Sequence, residues 1–127
     1  MSAPCPCLSG LPYVECCGSF HSGAATAPTA ERLMRSRYSA FAMGNADYLL
    51  ATWHPSTRPT QLPLDPEQRW YRLDILARTG GGLLDSIGTV EFEARFRADG
   101  VAGIMHETSR FVRDDGRWLY LDGVVQG

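Results

Sequence analysis

All four cysteines of this 127-residue chain lie within its first seventeen residues. They form two close pairs separated by eight residues, Cys5 with Cys7 and Cys16 with Cys17. Two thiol pairs joined by a short loop can wrap one soft, tetrahedral ion such as Zn²⁺. The pattern therefore predicts one zinc ion as a cofactor. Because four sulfur ligands leave no coordination position open, it predicts a structural ion rather than a catalytic one.

Other roles for these cysteines stay open. They could be free and buried or form disulfides, and neighbouring Cys16 and Cys17 could bridge each other in a strained ring. His21, four residues beyond Cys17, could replace one thiol as a ligand. The chain lacks the basic start and apolar run of a secretory signal, so we expect it in the cytoplasm. In that reducing compartment cysteine pairs are more often metal ligands than disulfides.

The loop between the two pairs contains residues that suit tight turns. Gly10 can adopt a positive φ, which lets the chain fold back under an ion. Pro12 suits the start of a short helical turn, which we predict over residues 13–15. Residues 18–28 are rich in Gly, Ser, Ala and Thr, and this composition predicts a linker to the remainder of the chain.

The charged residues exclude several kinds of chemistry. All twelve basic residues are arginine, so a lysine Schiff base and a lysine-dependent phosphate loop are excluded. The formal net charge of −2 is unlike the basic surface of a nucleic-acid-binding protein, and we expect no such partner. No apolar run reaches the roughly 18 residues that span a bilayer, so we expect no membrane partner.

Two helices are predicted after the linker. Thr29 can cap the first, Gly44 and Asn45 end it, and apolar residues recur at helical spacing from residue 30 to residue 41. Arg37 falls on that apolar face, where it would either join a buried polar network with a carboxylate partner or extend to solvent. Asn45 can cap a second helix that continues through Trp53 until proline ends it at residue 55.

From residue 70 onward the apolar period changes to strand-like alternation, and Gly-rich or Asp-Gly turns separate four segments. On the first strand we place Tyr71, Leu73 and Ile75 on one face. On the third, alternation places Met105, Glu107, Ser109 and Phe111 on one face and His106, Thr108 and Arg110 on the other. Helices followed by hairpin-joined strands indicate the α+β class, with helices packed against a curved, mainly antiparallel sheet.

Residues 5–17 resemble the SEC-C zinc motif, which also occurs at the C-terminus of the bacterial preprotein translocase motor. In that motor the zinc element serves protein contacts, so the resemblance implies a protein partner. It would bind through the apolar residues of the small N-terminal zinc knuckle, which are Leu11, Pro12, Tyr13 and Phe20. The motif usually carries glycine where this chain has Leu8. If that position needs a positive φ, the first turn must be built differently here.

Residues 29–41, 52–59 and 107–111, together with Gly116-Arg-Trp and Asp122-Gly123, are similar to the YchJ family. This resemblance implies a nuclear transport factor 2-like domain with a cone shape. The predicted organisation is thus a zinc knuckle over residues 1–22 followed by that domain over residues 23–127.

A cone-shaped domain of this type can hold a pocket between helix and sheet, and its function then depends on the pocket residues. No nucleophile and base occur at a spacing that supports a mechanism, so the sequence favours a binding module over an enzyme. The alternative is a small-molecule binding protein or an acid–base enzyme that uses the pocket. The candidate pocket residues are Arg37, Trp53, His54, Asp74, His106 and Arg110.

Overall fold

A computed structural model describes residues 3–125 of the chain. The outermost residues of the two predicted domains, 1–2 and 126–127, lie outside the described residues. The helices are α1 (Cys17–His21), α2 (Ala30–Met43) and α3 (Ala46–Ala51), and the strands are β1 (Gln68–Gly80), β2 (Ile87–Ala98), β3 (Val101–Asp114) and β4 (Arg117–Val125). In the described range, no helix has the length and hydropathy needed to cross a membrane.

The zinc knuckle contains the short helical turn that the sequence predicts. It is a 3₁₀ turn over Tyr13–Glu15, preceded by Pro12 in an extended conformation. The predicted linker is wrong at both ends. Its first residues are helical in α1, where Phe20 is buried, and its last carbonyl, that of Pro28, accepts a hydrogen bond from Nε1 of Trp118.

The caps of α2 and α3 are those predicted. The Thr29 hydroxyl accepts from the backbone N–H of Arg32, Gly44 ends α2 with a φ of 72°, and the Asn45 side chain accepts from Tyr48 N–H. Helix α3 ends at Ala51, earlier than predicted. The backbone on either side of Trp53 instead pairs with β4, since Tyr120 N–H donates to Thr52 and His54 N–H donates to Tyr120.

The four strands form one open antiparallel sheet in the order β1-β2-β3-β4. Tight turns join the last three strands, and both central residues of each turn, Asp99-Gly100 and Asp115-Gly116, have a positive φ. That geometry matches the twist of a hairpin. The predicted α+β class is confirmed.

Strand β1 departs from simple alternation. A register shift between Trp70 and Arg72 leaves Tyr71 as an extra residue, and its side chain is 46% exposed. The prediction that Tyr71 shares a face with Leu73 and Ile75 is therefore wrong. A bulge moves all preceding side chains to the opposite face, and Trp70 contacts the core instead.

The core lies between α2 and one face of the sheet. Leu33, Met34 and Tyr38 of α2 pack with Phe92 and Phe111 of the central strands. All four cysteines belong to the same buried cluster. The cysteine-rich knuckle and the sheet therefore share one hydrophobic core.

Candidate functional site

The four cysteines converge at one point beneath α2. Their sulfur atoms all lie within 4.8 Å of one another, and each side chain is buried. The sulfurs of Cys7 and Cys16 are 3.6 Å apart, and none of the four cysteines forms a disulfide. Tetrahedral sulfur ligands at about 2.3 Å from an ion would be about 3.8 Å apart. The cluster therefore has the composition and spacing of a metal site.

The electrostatics of the cluster also suit a cation. Hydrogen bonding from the Cys17 thiol is the main effect that lowers the pKa of Cys7, to about 4. Burial is the main effect that raises the pKa of Cys16. One thiolate thus forms readily among its neighbours, whereas further negative charge in this small buried volume requires a compensating positive charge. A divalent ion would supply it.

Polar groups around the cluster support the sulfurs. The Ser9 hydroxyl lies 3.2 Å from the sulfur of Cys16, and the Ser39 hydroxyl on α2 lies 3.5 Å from the sulfur of Cys5. Hydroxyl donors of this kind stabilise thiolate charge without binding the metal.

His21 does not contribute a ligand. Its Nε2 lies 2.8 Å from the carbonyl oxygen of Ser36 and its Nδ1 lies 2.6 Å from the Tyr13 hydroxyl. A carbonyl only accepts, so Nε2 carries the proton and Nδ1 accepts from Tyr13. Burial lowers the pKa of His21, which keeps the ring neutral. Both ring nitrogens are therefore already hydrogen-bonded, Nδ1 within the knuckle and Nε2 to α2.

A second group of contacts fixes the knuckle on α2. Arg35 donates through Nη1 to the carbonyl oxygen of Cys7, at 3.1 Å, and through Nε to Glu31 one helical turn earlier, at 3.0 Å. Together with the contacts of His21 and Ser39, these bonds place the cluster against one helix of the larger domain. The geometry of the cysteine cluster and the position of α2 are thus physically linked.

Leu8, which stands where the SEC-C motif usually has glycine, adopts a φ of 66°. The expectation that the turn would be built differently here is therefore wrong. Leu8 takes the left-handed conformation itself, and its N–H donates to the carbonyl of Cys5. Its side chain is 57% exposed and buries little area in return.

We expect Leu8→Gly to stabilise the protein by about 0.5–1 kcal/mol. Relief of about 1–2 kcal/mol of left-handed strain outweighs the greater backbone entropy that glycine loses on folding, about 0.5–1 kcal/mol. Urea denaturation of both proteins measures the difference. Leu8→Ala is the matched control, because it shortens the side chain but keeps the strained Cβ, and it should give no gain. A stability loss in Leu8→Gly would contradict the argument.

A separate cavity of about 220 Å³ lies between α2 and the inner face of the sheet. Aromatic and apolar side chains form most of its wall. Its charged residues are Arg37 and Glu107, and its hydroxyl-bearing residues are Tyr38, Ser109 and Tyr120. The full lining consists of Met34, Arg37, Tyr38, Phe41, Trp53, Trp70, Phe92, Ala94, Met105, Glu107, Ser109 and Tyr120.

Arg37 is buried in the wall of this cavity, with 4% of its surface exposed. Its Nη1 donates to the carbonyl of Leu49 and to the Thr52 hydroxyl, both at 2.7 Å, and the guanidinium carbon lies 4.6 Å from the ring centre of Tyr120. The ion pairs in the described part of the chain do not include Arg37. Arg37 thus joins a buried polar network, as one alternative predicted, but through a carbonyl and a hydroxyl instead of a carboxylate, and the alternative of extension to solvent is wrong. Desolvation lowers the pKa of Arg37 to about 10, so the side chain stays charged.

Comparison with known proteins places the chain in a family. Residues 29–123 match the model described as "YchJ, middle NTF2-like domain", and residues 1–19 match the SEC-C motif. The chain belongs to the YchJ family. The first match spans most of the chain and contains both α2 and the four strands around the cavity.

Members of the YchJ family from several bacteria resemble this chain along most of its length. The UPF0225 protein of Streptomyces coelicolor is 55% identical over 120 residues, which cover 94% of each chain. The UPF0225 protein of Corynebacterium glutamicum is 55% identical over 126 residues, covering 98% of this chain and 99% of that one.

Two solved structures share the fold of this YchJ-family chain. The solution structure of a SEC-C motif containing protein from Rhodopseudomonas palustris is 34% identical, with a TM-score of 0.82 and complete coverage of both chains. The crystal structure of a SEC-C motif containing protein from Psychrobacter arcticus is 29% identical, with a TM-score of 0.76, and covers all of this chain and 84% of that chain.

Of the six pocket residues predicted from the sequence, only Arg37 and Trp53 line the cavity of this chain. His54 lies in the loop after α3, with Nδ1 2.7 Å from the Ser56 hydroxyl. Asp74 accepts from Arg72 on β1, at 3.0 Å. Both carry polar partners near the protein surface, and neither contributes to the cavity.

His106 and Arg110 were also predicted for the pocket, and both project from the opposite face of β3. Nε2 of His106 lies 2.6 Å from the Glu91 carboxylate, and Arg110 forms a two-bond ion pair with Asp122. These cross-strand pairs form a solvated outer face, where polar partners replace the contacts of a pocket. The sequence prediction omitted the other ten lining residues, of which Tyr38, Glu107, Ser109 and Tyr120 carry a hydroxyl or a carboxylate.

Proposed function

We propose that this YchJ-family chain is a zinc-binding protein whose knuckle serves as a contact module for a protein partner. The observation that supports the metal is the convergence of four buried cysteine sulfurs within 4.8 Å. A four-sulfur, tetrahedral donor set favours Zn²⁺, and the closed set suits a structural ion. We further propose a cytoplasmic location, because a reducing compartment keeps such thiolates available to the metal.

Metal analysis of protein purified without chelator tests the zinc assignment. We expect one zinc ion per chain, lost in Cys16→Ser and retained in His21→Ala. The histidine variant is the matched control, because both nitrogens of His21 are already hydrogen-bonded to other groups. Folded protein without metal, iron in place of zinc, or zinc loss in His21→Ala would overturn the assignment.

The exposed apolar side chains of the knuckle support the proposed contact role. Leu8, Leu11 and Val14 are 57%, 48% and 64% exposed. Two of the residues that the sequence suggested for this surface point elsewhere, since Phe20 is buried and Tyr13 packs against the core and bonds His21. A small apolar surface on a rigid, metal-held turn can dock into a partner at low entropic cost.

A pair of surface variants tests the contact role. The double variant Leu11→Asp, Val14→Asp should weaken the affinity for a partner by at least about tenfold, because charge replaces apolar contact at the centre of the interface. The partner is first captured by crosslinking in cells of the source organism, then purified, and its Kd is measured by calorimetry.

Leu84→Asp is the control for this experiment. Leu84 is 98% exposed and lies outside the knuckle, so this variant should bind within about twofold of the original chain. Equal weakening by both variants, or none by the knuckle variant while its zinc content is unchanged, would contradict the contact role.

A second role is supported by the cavity beneath α2. A concave, mainly aromatic site with a few polar groups is the usual form of a small-molecule binding site. The cavity is separate from the knuckle surface, so we propose that the chain binds a small molecule there independently of a protein partner.

A further inference from the structure

We infer that the cavity beneath α2 binds a small single-ring compound whose substituent presents an acceptor oxygen, a carbonyl or a carboxylate, to Tyr38 and Trp53. This inference rests on the second role proposed above and names the ligand class for it. It does not depend on the zinc knuckle or on a protein partner.

Two buried polar groups in the cavity wall lack partners. The hydroxyl of Tyr38 and the Nε1–H of Trp53 are buried atoms with no hydrogen-bond partner within residues 3–125. Tyr38 itself is only 2% exposed. An unpaired buried polar group costs about 1–3 kcal/mol, so such groups require an explanation. Both residues belong to the cavity wall, and their polar atoms lie just beneath its surface. A bound acceptor oxygen pairs with them after their side chains turn toward the ligand, a common change on binding.

The donor and acceptor balance defines the ligand's substituent. The indole N–H of Trp53 only donates, and the Tyr38 hydroxyl can also donate to an acceptor. The guanidinium of Arg37 adds positive charge to the wall without an ion-paired carboxylate. All three groups favour an oxygen acceptor over a cationic or donor-only substituent.

Glu107 is the one carboxylate among the described residues that line the cavity, and its negative charge partly offsets the positive charge of Arg37. It accepts from the Ser109 hydroxyl, and its charge acts on the guanidinium of Arg37. The wall therefore carries one positive and one negative side chain. A neutral carbonyl and a carboxylate are both acceptable to it, and the shared feature is the acceptor oxygen.

The size and walls of the cavity define the remainder of the ligand. An apolar cavity of about 150 Å³ accommodates benzene, so 220 Å³ accommodates one ring with a small substituent. Trp70 and Phe92 on the sheet and Phe41 on α2 supply aromatic faces and edges for a flat ring. Aromatic pairs prefer offset or edge contacts at about 4.5–7 Å between ring centres, and side chains on three sides permit them.

Titrations of the zinc-loaded full chain with four single-ring probes test the inference by amide chemical shifts in NMR. Benzamide and benzoate carry an acceptor oxygen, toluene carries none, and benzylamine carries a cation. We expect benzamide or benzoate to bind with a Kd of about 1 mM or tighter, and toluene and benzylamine to bind about five- to tenfold more weakly.

Variants identify the groups responsible. Tyr38→Phe should weaken binding of the acceptor probe about fivefold and leave toluene unchanged. Trp53→Phe removes the N–H but also enlarges the cavity, so it should weaken the acceptor probe more than it weakens toluene. Tyr48→Phe is the control, because Tyr48 lies outside the cavity lining, and it should not alter binding. Tyr38→Phe and Tyr48→Phe each remove one hydroxyl and keep the ring, so the fold is preserved.

The outcomes separate the two levels of the proposal. If all four probes bind equally, or the variants do not discriminate, the cavity remains a ligand site but the acceptor-oxygen class is wrong. If no probe shifts a resonance of a cavity residue, both the class and the small-molecule role are wrong. Neither result bears on the zinc content or the knuckle contact.

Discussion

Removal of the metal should unfold the whole chain rather than the knuckle alone. The four cysteines pack in the same buried cluster as Leu33, Met34 and Tyr38. Arg35 and His21 add hydrogen bonds between the knuckle and α2. Without a cation, no ligand bonds would hold the four buried sulfurs together. The knuckle would then separate from α2. The apolar face of that helix would then lose part of its cover.

The expected size of this effect is large. Binding of structural zinc contributes about 10–16 kcal/mol in small metal-folded peptides, whereas a typical domain is stable by only about 5–15 kcal/mol. Even a third of that contribution, about 3–5 kcal/mol, would lower the Tm by roughly 10–20 °C for a chain of this length. We therefore expect a fall of at least that size after chelation, with recovery when zinc is restored.

Two probes distinguish global from local unfolding. All three tryptophans lie at residue 53 or beyond, so their fluorescence reports on the larger domain, while thiol reactivity reports on the knuckle. We expect both signals to change in one transition on chelation and in Cys16→Ser. Val14→Ala, at an exposed position of the knuckle, is the control and should retain both signals. Reactive thiols with an unchanged tryptophan transition would show that the knuckle unfolds by itself.

The sequence predicted local features of the fold well. The caps at Thr29 and Asn45 follow from side-chain chemistry and their spacing along the chain, and the Asp-Gly turns follow from their tolerance of positive φ. The four cysteines likewise formed a recognisable set because their spacing is short. Each of these signals is contained within a few neighbouring residues.

Features that depend on long-range contacts were not predictable in the same way. The Gly- and Ser-rich composition after Cys17 indicated a linker. The actual docking depends on contacts such as His21 with Ser36, fifteen residues apart. The bulge at Tyr71 depends on the register against β2, and no residue near it signals an extra position. Such features arise from the packing of complete elements.

The cavity was predictable in part from the sequence. Alternation along β3 correctly placed Glu107 and Ser109 with Met105, on the face opposite His106 and Arg110. The candidates predicted on the strands, Asp74, His106 and Arg110, were nevertheless ionisable residues, and on these strands the ionisable residues lie mostly on the outer face. Tyr120 offered no such signal, because the apolar run of β4 does not alternate.

The unpaired hydroxyl in the cavity leads to an unusual expectation for stability. Tyr38→Phe should stabilise the ligand-free protein by about 1 kcal/mol or more, because it removes a buried hydroxyl whose desolvation no hydrogen bond offsets. The ring would keep its edge contact with Trp70, whose centre lies 6.4 Å away. Burial also raises the pKa of Tyr38 to about 12, in agreement with a strongly desolvated phenol.

Tyr48→Phe is the matched control and should change stability in the opposite direction. The Tyr48 hydroxyl lies 2.7 Å from the Ser36 hydroxyl, which itself donates to the carbonyl of Leu33. Tyr48 must therefore donate to Ser36, and its loss leaves an acceptor unpaired at a cost of about 1 kcal/mol. Two changes that are chemically identical should thus differ by about 2 kcal/mol, which urea denaturation resolves.

The sign of the Tyr38→Phe result distinguishes a functional group from a structural one. Removal of a hydroxyl that stabilises the fold should lower the free energy of unfolding, as we expect for Tyr48. A hydroxyl retained for a ligand lowers the stability of the ligand-free protein. That stability is regained only when the ligand binds, a common compromise at functional sites. Loss of stability in Tyr38→Phe would mean that the hydroxyl is satisfied without a ligand, and the strongest support for the inferred ligand class would then be gone.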